Sequence, residues 1–89
     1  MRTWSEVMAS IELIQSKTYI LEGYKKTRPG TVRFILSWNT ASVEFHPERG
    51  KKRYICFVNF DNLHSSTEQS IKNVFFYLER GILKTQNEN

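Results

Sequence analysis

The spacing of apolar side chains changes twice along the chain. Trp4, Val7, Met8, Ile11 and Ile14 recur at three- and four-residue steps, which places them on one face of a helix. Thr3 stands before this run and Glu6 three residues later, the pattern of a capping box. A helix from about Trp4 to Ser16 is expected, with its apolar stripe against a sheet. From Lys17 the period drops to two. "KTYILEGY" is rich in strand formers, and Gly23 marks a bulge or bend near its end. "TVRFILSW" sends Val32, Phe34, Leu36 and Trp38 one way and Thr31, Arg33, Ile35 and Ser37 the other. Val43 and Phe45 alternate with Glu44 and His46 until Pro47 ends the third strand. "YICFVNF", from Tyr54, is the most apolar segment, so a central strand is expected there. Its register leaves two pairings open: Tyr54 with Cys56, or Ile55 with Phe57, on the open face.

Helical spacing returns with Ile71, Val74, Phe75 and Leu78. Ser65-Ser66-Thr67-Glu68 offers a second capping box, and Gly81 is a natural stop. Between the strands lie "KKTRPG", with Pro29-Gly30 suited to a tight turn, then "NTAS", then "ERGKKR". The order is helix, four-stranded antiparallel meander, helix: an α+β two-layer sandwich. Both helices cover one sheet face and the other stays open. Residues 1–81 form this single domain, and 82–89 are expected to be a polar tail.

With 89 residues there is room for one core. One cysteine, Cys56, excludes an intramolecular disulfide and suits a reducing compartment, so a cytoplasmic protein is expected, or a nuclear one in a host with a nucleus. No apolar run approaches the ~18 residues of a membrane helix. His46, His64 and Cys56 lack the paired spacing of a metal site, and no phosphate-binding glycine motif occurs. Neither an enzyme, a metal nor a cofactor is expected.

Charge supplies the functional signal. Tyr24 to Arg53 holds eight basic residues against two acidic ones, or +6, whereas the rest holds five against seven, or −2. In an up-and-down meander, the first and third turns share one end of the sheet. Lys25, Lys26 and Arg28 therefore approach Arg49, Lys51, Lys52 and Arg53 across two strand spacings, roughly 10 Å. Those seven would contact phosphates, Arg33 would extend the patch across the open face, and Tyr24 and Tyr54 would stack on bases. The expected function is a small non-enzymatic nucleic-acid-binding protein, for DNA or RNA. The alternative is a protein-binding inhibitor or adaptor of mobile-element or phage type. It would dock its basic end on an acidic partner, with Trp38, Phe76 and Tyr77 as anchors. An open face or unpaired edge also allows a homodimer.

The helix–strands–helix order is similar to the double-stranded RNA-binding domain. The second helix of that family opens with a lysine cluster, whereas here it opens "SSTEQSIKN", with Lys72 as its only cation. The length and the early Trp4 also resemble the small Alu-domain subunit of the signal recognition particle, a family with three strands. Neither resemblance carries residue roles to this chain.

Overall fold

The computed structural model describes residues 2–23 and 28–86. Its elements are α1 (Trp4–Gln15), β1 (Tyr19–Leu21), β2 (Pro29–Ser37), β3 (Thr40–Pro47), β4 (Arg53–Asn59), α2 (Leu63–Glu79) and β5 (Leu83–Thr85). The strands form one antiparallel sheet in the order β4-β3-β2-β1-β5. The architecture is α+β, with five strands rather than four. The extra strand is Leu83–Thr85, part of the expected tail, which returns beside β1 and buries Leu83 completely.

Local chemistry explains most boundaries. The capping box forms: Glu6 N donates to Thr3 Oγ1 at 3.2 Å, and Thr3 N donates to Glu6 Oε1 at 2.9 Å. α2 starts earlier than expected, because Asn62 rather than Ser65 is the cap. Its Oδ1 accepts from Ser65 N at 2.8 Å. At the far end Gly81 takes φ +74°. Gly81 N donates to Leu78 O and Ile82 N to Tyr77 O, a Schellman stop that turns the chain into β5. Pro29 and Gly30 belong to β2, not to a turn. Pro29 is the first strand residue, where a missing N–H is tolerated. Gly30 lies under the Phe45 ring, where an added Cβ would fall 2.7 Å from Phe45 Cζ.

Both helices pack on one sheet face. Val7, Ile11 and Ile14 from α1 and Ile71 and Val74 from α2 meet Tyr19, Val32, Val43, Phe45 and Leu83 in one cluster. Tyr19 Oη donates to Ile14 O at 2.8 Å, so its polar tip is satisfied inside. Phe75 was expected in the buried stripe but is exposed; Ser66, Thr67 and Ser70 take the buried positions instead. Each of their hydroxyls donates to a backbone carbonyl: Ser66 to Asn39, Thr67 to Leu63, Ser70 to Thr67. Small hydroxyl residues let the first half of α2 lie close to the sheet without stranding polar groups. No helix among the described residues is long and apolar enough to cross a membrane.

β4 is an edge strand, not a central one. A meander in chain order places its last strand at the margin. The apolar residues that suggested two covered faces include Tyr54 and Phe57, which are exposed.

Candidate nucleic-acid interface

The sheet face away from the helices is built in cross-strand rows. Thr31 pairs with His46, Arg33 with Glu44 and Tyr54, and Ile35 with Ser42 and Phe57. Ser37 pairs with Thr40 and Asn59. Strand alternation would place Tyr54 and Phe57 on opposite faces, being three residues apart. A β-bulge overrides this. Glu44 pairs with Tyr54 and Val43 with Cys56, so Ile55 has no partner of its own on β3 and turns into the core. As a result Tyr54 and Phe57 share the open face, 63% and 65% exposed, with Ile35 beside them at 44%. Neither expected pairing of this strand survives, because both assumed unbroken alternation.

Glu44 is the one acidic group within these rows, and its side chain is only 3% exposed. Its Oε1 lies 2.8 Å from His46 Nε2 and its Oε2 3.0 Å from Lys52 Nζ. Desolvation pushes the Glu44 carboxyl up. The hydrogen bonds and charges of His46 and Lys52 outweigh it and hold the group below its ordinary value. The same hydrogen bond and charge raise the Lys52 ammonium. Lys52 thus folds back from the turn onto the sheet, with Nζ 5.6 Å from the centre of the Tyr54 ring.

The consumption of Glu44 by Lys52 and His46 leaves Arg33 exposed, with no side-chain partner among the described residues, although it stands directly opposite Glu44 in register. It lines a polar concavity of about 730 Å³ with Thr18, Thr31, His46, Glu48 and Gln86. Arg49 and Arg53 are likewise exposed and form no ion pair among the described residues. Gly30 pairs with Pro47, so Arg28, just before β2, and the 48–52 turn lie at the same end of the sheet. Lys51 is exposed in that turn. Tyr24, Lys25 and Lys26 lie outside the described residues.

The opposite end carries Trp38, expected only as an anchor for a protein partner, and Phe60, which the sequence did not single out for the site. Trp38 and Asn39 form the β2–β3 turn, with Trp38 at φ 54° and 91% exposed. Phe60 is exposed nearby, its backbone O accepting from Asn39 Nδ2 at 2.9 Å. Phe57 could not be assigned from sequence without the bulge. Trp38 was assigned to one face of a strand, whereas it stands beyond the last strand pair.

The remaining candidates have structural roles. Cys56 is half-buried and burial pushes its thiol up, away from the reactive thiolate. Tyr77 Oη donates to Ile55 O at 3.3 Å and the ring packs on the core, so it is not a free anchor; Phe76 is exposed beneath Arg80. His64 sits 3.0 Å from Glu68 and edge-on to Trp4, joining the two helices. No group of three or more His, Cys, Asp or Glu gathers among the described residues. No protein-family model, curated protein or solved structure matches this chain.

Proposed function

We propose that this chain is a small non-enzymatic nucleic-acid-binding protein that receives bases on its open sheet face and phosphates at its basic end. The observation that carries the reading is the bulge that brings Tyr54 and Phe57 onto one face, beside Arg33 and below the cations of the 48–53 segment. Rings that a protein could have buried are instead held out among positive charges. Bases stack on such rings with little regard to sequence, and cations fix the backbone. Arg33 and Arg49 are the cations best placed for phosphates, because no carboxylate among the described residues engages them; Arg53 is equally unengaged at the same end but pairs with Phe45, toward the helical side of the sheet. Lys52 orients Tyr54 and is shared with Glu44, so its contribution to phosphate binding is smaller than its charge suggests.

The test is fluorescence anisotropy with labelled single-stranded and duplex DNA and RNA at about 50 and about 200 mM salt. Affinity should fall steeply with salt, since each phosphate contact adds about 0.7–0.9 to the slope of log K against log salt. Arg33→Ala/Arg49→Ala/Arg53→Ala should weaken binding and flatten that slope. No binding at tens of micromolar in low salt removes this reading and leaves the basic end for an acidic protein partner.

A further inference from the structure

The strained turn at Trp38 extends the proposed surface to the far end of the sheet. A bulky residue in the left-handed region is an outlier, because hairpin turns that need positive φ there are usually built with Gly. Such strain persists only where the surroundings enforce it. Here they do. Asn39 O accepts from Ser66 Oγ at 2.5 Å, the same hydroxyl accepts from Phe60 N at 2.7 Å, and Asn39 Nδ2 donates to Phe60 O at 2.9 Å. Thr40 Oγ1 closes the turn by donating to Ser37 O at 2.6 Å. Four hydrogen bonds fix the backbone under a tryptophan that packs on almost nothing. A rigid mount beneath an idle ring is the arrangement of a pre-organised contact.

We infer that an extended single strand runs lengthwise along the open face, from the basic end over Tyr54 and Phe57 to Trp38, which is its distal stacking platform. This rests on the nucleic-acid reading above and adds strandedness, path and length. Tyr54 and Phe57 stand level with Arg33 and Ile35, about 7 Å apart along the strands, and Trp38 lies about 10 Å further on. A strand advancing ~3.4 Å per stacked nucleotide, and more when bases splay, covers that span with about three to five nucleotides. The polarity of the face fits a single strand. Cations crowd one end, so phosphates are held there, while the centre offers Ile35 and two rings to uncovered bases. A duplex keeps its base faces stacked inside and offers no uncovered base to exposed rings.

The experiment uses the full chain. Trp4 and Trp38 are the two tryptophans, so Trp4→Phe leaves Trp38 as the lone tryptophan, excited at the red edge where the tyrosines do not absorb. Saturating oligothymidylate, with saturation followed independently by anisotropy, should quench that emission by about half or more. A length series from about two to about ten nucleotides should gain affinity up to about six and then level. Trp38→Gly suits the positive φ, so its melting temperature should hold or rise. Its affinity for the longer strands should nevertheless fall about tenfold, a typical effect of losing one stacked ring, with the shortest strands unaffected. Bound oligonucleotide with unquenched Trp38 overturns the path while leaving the general reading intact. So does a length profile identical in Trp38→Gly, or equal quenching by duplex. Absence of any anisotropy change with any strand overturns both.

Discussion

Replacing Phe57 by Ala separates surface from core most cleanly, because Phe45 on the neighbouring strand provides the opposite case. Phe57 is 65% exposed and Phe45 is fully buried. An aromatic ring buries about 200 Å² when fully enclosed. About a third of that is covered at Phe57, roughly 70 Å², or at most about 1.8 kcal/mol at ~25 cal/mol per Å². The Cβ retained by Ala and the partial compactness of the unfolded chain lower the cost to about 1 kcal/mol. Phe45→Ala loses the whole ring and opens a cavity beside Val32 and Gly30, for about 3–5 kcal/mol. The order reverses for binding. Loss of one stacked ring costs about 1–3 kcal/mol, roughly a fivefold to 150-fold weakening. Urea unfolding of both variants, with anisotropy on whatever remains folded, reads both scales. Should Phe57→Ala be as unstable as Phe45→Ala, or bind oligonucleotide as tightly as wild type, the assignment of Phe57 to a binding surface is wrong.

Three further outcomes follow from the packing and the charges. The Glu44 carboxyl is lowered in the folded state from about 4.5, so its stabilisation is complete above that unfolded value and is lost as pH falls through the folded value. As pH falls below about 4.5, wild type should therefore lose more stability than Glu44→Gln, as read by urea midpoints. A parallel acid limb in both would contradict the role given to the Lys52–Glu44–His46 cluster. Gly30→Ala would drive a methyl into the Phe45 ring and the backbone at His46 and Pro47, so thermal melting should show a loss of about 1–3 kcal/mol. An unchanged melt would mean that the β2–β3 contact is looser than described. Leu83→Ala should cost about 2–5 kcal/mol despite lying close to the C-terminus. A negligible change would return the segment after Gly81 to the status of a tail.

The sequence disclosed the parts of the fold that depend on local chemistry. The capping box at Thr3 and Glu6, the stop at Gly81 and the alternation of β2 are each set by a few neighbouring residues, and each stands where its residues predict. What stayed hidden depends on distant partners. Leu83–Thr85 is too short and too polar to announce a strand, and only the free edge of β1 makes it one. β4 looked central from its composition, yet its position at the edge follows from chain order. The bulge opposite Val43 and Glu44 leaves no mark that alternation alone detects, and with it went the chance of assigning Tyr54 and Phe57 to one face. The basic end was legible as charge. Which cations are free was not, because Lys52 reaches back to Glu44 and Arg33 is passed over. Trp38 at positive φ was the least legible of all, since a tryptophan in that conformation runs against the residue preferences on which turn reading rests.

The measurement that bears most directly on the claim is amide chemical-shift mapping of isotope-labelled protein titrated with a short single-stranded oligothymidylate. Shifts should concentrate on Arg33, Ile35, Ser42, Glu44, Tyr54 and Phe57 and extend to Trp38 and the 48–53 segment, with α1 and the outer surface of α2 unmoved. Saturable binding whose shifts fall on the helical layer, leaving β2–β4 undisturbed, would contradict the claim.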